Sequence, residues 1–277
     1  MVSALVLVAC GNGDDLLSEP NVFTPPPTVD EPSGGDTGAD VTPDPDPLVA
    51  APPAMDPGAE GTDEVPVTPA VADGSPCALP DRVSGTPQTI EEALVLMNAL
   101  PKPTTLACFL ESLERPLSLY MTSSGASLQP SPGARSPRTF IVNGPLVMSI
   151  VFEGEAAAAL ELGYRTSAAR SIKTEILFPL QREVAMTNLF DRVQSGTGTM
   201  CGACHAGEIR TGHEAFPMDV FESDVIVPSS LFEVELESLR AEAASCDVAA
   251  EERRCKMLDA VFGHGEVRQS EIFTGQL

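Results

Sequence analysis

Tryptophan is absent from this chain, tyrosine occurs twice and histidine three times. Basic residues are scarce: 16 Lys and Arg face 40 Asp and Glu, for a formal net charge of −24. No Lys or Arg precedes Arg82. Phosphate contacts require clustered cations, so this balance excludes a nucleic-acid partner. No apolar run approaches the ~20 residues of a membrane-spanning helix. A Ser-His-Asp arrangement, a phosphate loop, a nucleotide fingerprint and an internal repeat are all missing. With three histidines, few metal-ligand sets are open.

What is present divides unevenly. Residues 1–75 hold 14 of the acids and 13 of the 26 prolines. Stretches such as Phe23-Thr24-Pro25-Pro26-Pro27 and Thr42-Pro43-Asp44-Pro45-Asp46-Pro47 follow neither a helical nor a strand period. Low hydrophobicity with one sign of charge predicts a disordered linker over 11–75, extended by proline and self-repulsion. Residues 76–277 carry every base and 26 acids. That segment is long enough for one core. It is read as a folded domain with a β-rich part over 76–185 and a motif-bearing helical part over 186–277.

Two short motifs point to chemistry. Leu7-Val8-Ala9-Cys10, after the apolar residues from Val2, resembles the lipobox of bacterial lipoproteins. In that family the chain is cut before the cysteine, which carries diacylglycerol. The resemblance makes 1–10 a signal and lipobox, and Cys10 a lipid anchor in the bacterial cell envelope. It implies an outer-membrane protein on the periplasmic or surface face. The apolar run is short and lacks a preceding Lys or Arg, which departs from the pattern. The second motif is Cys201-Gly202-Ala203-Cys204-His205. Its Cys-x-x-Cys-His spacing is similar to the haem attachment site of c-type cytochromes. The resemblance covers 20 to 30 residues and implies one haem c, with Cys201 and Cys204 bound to the vinyl groups and His205 as the proximal iron ligand. The chain as a whole resembles uncharacterised bacterial lipoproteins with a late Cys-x-x-Cys-His, a likeness that supplies no activity.

Other readings of the second motif remain. Structural zinc would need a second ligand pair, which is missing. A thioredoxin-like pair would need a βαβ setting. A structural Cys201–Cys204 disulfide would leave a non-enzymatic envelope binding or structural module. For the iron's sixth position the candidates are Met218 and His213, with Met257 and His264 behind them. A second strong ligand favours electron transfer, and an open position favours sensing or peroxide chemistry. The leading expectation is an electron carrier or haem-based redox sensor rather than an enzyme, with a redox partner protein and a lipid-anchored membrane contact.

Seven cysteines are present. Setting aside Cys10, Cys201 and Cys204 leaves Cys77, Cys108, Cys246 and Cys255. Four cysteines allow three connectivities. The sequence-local choice, Cys77 with Cys108 and Cys246 with Cys255, suits an oxidising compartment. Arg135, Arg138, Arg165 and Arg170 lie on or beside predicted strands, where pairing with the domain's many carboxylates is the simplest use for them.

Local signals predict an α+β fold. Thr89-Ile90-Glu91-Glu92 has the form of a capping box before a helix, and Leu106 to Leu113 suggests a second one. Strands are predicted over 117–122, 139–143, 146–152, 160–166 and 171–178, with Asn143-Gly144 as a hairpin signal. Thr187 is the predicted cap of a helix before the motif. A helical hairpin is predicted over 234–246 and 249–262, its second helix capped by Asp247. The fold expected is a small antiparallel β-rich core with flanking helices and a C-terminal helical hairpin.

Overall fold

The computed structural model describes residues 77–273, apart from 78, 81, 214, 215 and 217. The expected lipobox with Cys10 and the expected linker over 11–75 lie outside the described residues. The fold is α+β. Two helices lead: α1, Ile90–Ala99, and α2, Leu106–Glu111. Thr89 caps α1 by accepting from the Glu92 amide, and Thr105 caps α2 by accepting from Cys108. Each threonine satisfies a donor that the first turn leaves unpaired.

Five strands follow: β1, Leu117–Thr122; β2, Arg138–Asn143; β3, Leu146–Ile150; β4, Ala159–Arg165; and β5, Arg170–Leu177. They pair in sequence as an antiparallel meander. Gly144, at φ 59°, supplies the left-handed turn residue between β2 and β3. Next come α3, Met186–Val193, and a minimal pair of two-residue strands, β6, Gln194–Ser195, and β7, Gly198–Thr199.

The later part differs from the expected helical one. It adds β8, Ile209–Gly212, and β9, Asp219–Asp224, before α4, Leu236–Ala244, and α5, Glu252–Phe262. A final strand, β10, Val267–Gln269, closes the order. β9 pairs with β5, β8 with β9, and β10 with β1 in parallel. The result is one eight-stranded sheet, β10-β1-β2-β3-β4-β5-β9-β8. The 76–185 and 186–277 parts therefore contribute to a single sheet.

Two predicted caps are corrected. α3 starts one residue before Thr187, with Ala185 at the cap and the Asn188 side chain bonding back to its amide. α5 starts after Glu251, and Asp247 instead accepts from the Ala249 amide in the preceding turn. The expected hairpin of α4 and α5 is present, stapled by Cys246–Cys255. Cys77–Cys108 ties the start of the described chain to α2. Both pairings are the sequence-local ones.

The sheet has two unlike faces because side chains alternate along a strand. One carries Leu119, Ile141, Met148, Ile150, Leu160, Leu162, Ile172 and Val220, all buried, and joins Ile90, Met97, Phe109, Leu110, Leu258 and Val261 of the helices in one core. On the other, the register aligns Ser149 with Glu161 and Glu161 with Glu175; two and four residues back along β5 stand Lys173 and Ser171, the latter opposite Ser223. This second face is polar, yet Ser149, Ser171 and Ser223 are buried on it.

Candidate functional site

The motif sits beside this polar face. The two-residue strands β6 and β7 turn the chain at Gly196, φ 60°, and deliver it into a short 3-10 turn over Met200–Ala203. The Cys204 and His205 amides both donate to the Cys201 carbonyl, at 3.1 and 2.8 Å. One turn thus carries Cys201, Cys204 and His205. Glu208 clasps its entry: its carboxylate accepts from the Thr199 amide and hydroxyl.

His205 is held by a backbone partner. Its Nδ1 donates to the carbonyl of Asp224 at the end of β9, at 2.8 Å. A carbonyl only accepts, so the proton lies on Nδ1 and the Nε2 lone pair is left for a ligand. Burial and the charge of Lys173 push the imidazole pKa down to about 4. The ring is therefore neutral near pH 7, the form in which histidine binds a metal.

Cys201 carries a free, half-buried thiol. Burial pushes its pKa up, as do Glu161 and Glu208, against the pull of a Thr199 hydrogen bond and Lys173. A thiol held protonated is a poor redox nucleophile. The Cys201–Cys204 disulfide expected under the structural-module reading is not formed, because Cys201 is free. Cys204 is itself disulfide-bonded, so thioether formation there requires its release as a thiol.

Beneath the turn runs a polar track. Arg138 reaches the Ser149 hydroxyl at 2.8 Å, the Ser127 hydroxyl and the Glu161 carboxylate. Burial raises the Glu161 pKa, with Arg138 opposing it. Gln129 bridges the Ser149 hydroxyl and the Ala159 carbonyl. Lys173 lies beside them, its Nζ 2.7 Å from Ser171 Oγ and 2.8 Å from Ser223 Oγ. The arginines divide as carboxylate pairing predicts. Arg138 takes Glu161, Arg170 takes Asp224 and Glu222, and Arg135 takes Glu242 and Glu251. Arg165 instead donates to the Ala168 carbonyl.

The sixth-ligand candidates are scattered. The His213 ring lies edge-on to Tyr164, at 5.9 Å, and beside Phe216. Tyr164 pairs with Ile172, so it shares the core face, whereas Lys173 and Glu161 are on the polar face. Met218 packs half-buried against the core. Met257 is buried in that core, and His264 stands near Asp259 and Glu111. Among the described contacts, none of the four reaches His205. The described residues hold no group of three or more His, Cys, Asp or Glu suited to a metal ion.

Sequence reasoning missed Asp224, Lys173, Glu208 and Thr199 as partners of the motif. Glu208 and Thr199 had a signal in their closeness to it. Lys173 and Asp224 had none, since only the pairing of β5 with β9 brings them there. No protein-family model, curated protein or solved structure matches this chain.

Proposed function

We propose that this protein is an envelope lipoprotein carrying one haem c on Cys201 and Cys204, with His205 as the proximal iron ligand, and that it transfers electrons or senses redox state. The observation that carries this reading is the state of His205: neutral, fixed through Nδ1 to the Asp224 carbonyl, and one turn from the Cys201 thiol. Metal-binding histidines are oriented by such a bond from the second ring nitrogen. Haem, when bound, would supply a one-electron couple at iron. The chain's own residues do the rest. Cys201 and, once released from its disulfide, Cys204 would anchor the porphyrin, Glu208 would set the entry to the turn, and Asp224 would orient the imidazole.

Two further observations support the setting. The Cys77–Cys108 and Cys246–Cys255 disulfides suit an oxidising compartment. The lipobox at Leu7 to Cys10 suits a lipid anchor. The raised Cys201 pKa weighs against a dithiol oxidoreductase.

The test is expression with an export signal in a host that matures c-type cytochromes. Haem should remain on the protein through denaturing electrophoresis. Cys201→Ala with Cys204→Ala should lose it, and His205→Ala should leave a perturbed iron spectrum in whatever haem is retained. A wild-type protein of haem-free mass, from a host that matures other cytochromes, overturns the reading.

A further inference from the structure

The chain has three lysines, and one of them occupies an expensive place. Lys173 stands in the middle of β5, on the polar face. Its Nζ lies 2.7 Å from Ser171 Oγ, 2.8 Å from Ser223 Oγ and 3.3 Å from the Asp224 carbonyl. The Ser171 and Ser223 carbonyls complete the shell at 3.4 and 3.5 Å. All five are neutral oxygens. Among the described residues no carboxylate forms an ion pair with it; the Asp224 side chain is taken by Arg170, at 2.6 Å, and Glu161 by Arg138. Burying an ammonium without a paired anion costs folding free energy. In keeping with that, burial lowers the Lys173 pKa to about 8.

What this ammonium shares with the motif is one oxygen. The Asp224 carbonyl accepts from His205 Nδ1 at 2.8 Å and from Lys173 Nζ at 3.3 Å. The two nitrogens are therefore at most about 6 Å apart. A carbonyl has two lone pairs, so it can serve both donors at once. The serine hydroxyls hold the ammonium from β5 and β9 together, which fixes the carbonyl at the point where the imidazole needs it.

We propose that Lys173 is a positioning residue for His205, and that its half-buried positive charge tunes the potential of a haem bound at Cys201 to His205. The proposal rests on the haem reading. It assigns the lysine two roles: holding the Asp224 carbonyl in register with the ring, and keeping a positive field behind the proximal ligand. A fixed positive charge favours the iron state with one more electron, so it raises the midpoint potential.

Three variants test this: Lys173→Met, Lys173→Gln and Lys173→Arg. In haem-loaded protein, Met and Gln should weaken the preference for ferrous iron by about tenfold, a downward shift of about 59 mV for one electron. Arg keeps the charge and should restore most of the potential. In haem-free protein, nitrogen NMR of His205 should show the Nδ1-protonated tautomer alone in the wild type. It should show a mixture in Lys173→Met and Lys173→Gln, and return to one form in Lys173→Arg. A residue with a merely structural role would lower the melting temperature and leave potential and tautomer unmoved. Unchanged potential and tautomer in folded Lys173→Gln overturn the proposal. Wild-type protein that takes up no haem overturns the haem reading instead, and the tautomer measurement still decides whether Lys173 positions His205.

Discussion

His205 is the residue on which the proposed haem site turns, and its partial burial has a cost that acid should reveal. In the folded chain it takes up a proton only near pH 4. In the unfolded chain it does so near 6.5. Between those values the unfolded state holds more protons, so lowering the pH favours unfolding. The contribution is complete above about pH 6.5 and is lost as pH falls toward 4, amounting to at most about 3 kcal/mol. Urea melts of haem-free protein at pH 7 and 4.5 should show this loss, and His205→Gln should remove that share of it. Equal slopes in the two proteins would show that the ring is not held neutral. Arg254 makes a second prediction at this scale. It is 3% exposed and bonds Glu242 at 2.8 Å, Glu251 at 3.0 Å and the Arg135 carbonyl at 2.9 Å. Arg254→Met leaves Glu242 and Glu251 to Arg135 alone and removes the bond to the Arg135 carbonyl, and should lower the midpoint of a denaturant melt.

At the scale of elements, α4 and α5 are joined by a short covalent loop. Removing the Cys246–Cys255 bridge as a double serine variant should lower stability by about 2.5 to 3 kcal/mol. Removing Cys77–Cys108, which closes a longer loop, should cost about 3 to 4 kcal/mol. Reduced and unreduced melts check both, and peptide mapping should recover the two linked pairs. The legibility of elements followed a physical rule. β1 to β5 were readable because each runs five to eight residues with apolar side chains alternating or massed, and each neighbours the next in sequence. α1 was readable from Thr89 and Glu92. β8, β9 and β10 were not. Ile209-Arg210-Thr211-Gly212 and Val267-Arg268-Gln269 are too short and polar to signal a strand, and they extend because an existing sheet offers them unpaired backbone groups. β9, Asp219 to Asp224, is charged at both ends and is drawn in by β5.

At the scale of the whole molecule, the charge asymmetry and the lipobox-like run Leu7 to Cys10 support the proposed tether. Cys10→Ser should move the full-length protein from the membrane fraction to the soluble envelope fraction. A labelled fatty acid that still attaches to Cys10→Ser would place the lipid elsewhere.

The amino-acid sequence by itself determined the local matters: which runs extend, where helices begin, which cysteines lie close enough to pair, and that Cys201, Cys204 and His205 fall on one turn. These depend on contacts a few residues apart. Only the tertiary structure decided that the later part of the chain completes the sheet of the earlier part. It also set Asp224 against His205 across 19 intervening steps of chain and Lys173 against the same carbonyl across about 50. Such partners are joined by strand register, which depends on which edge of the sheet is open when β9 arrives. The composition of β9 does not carry that information, and the pairing of β5 with β9 does.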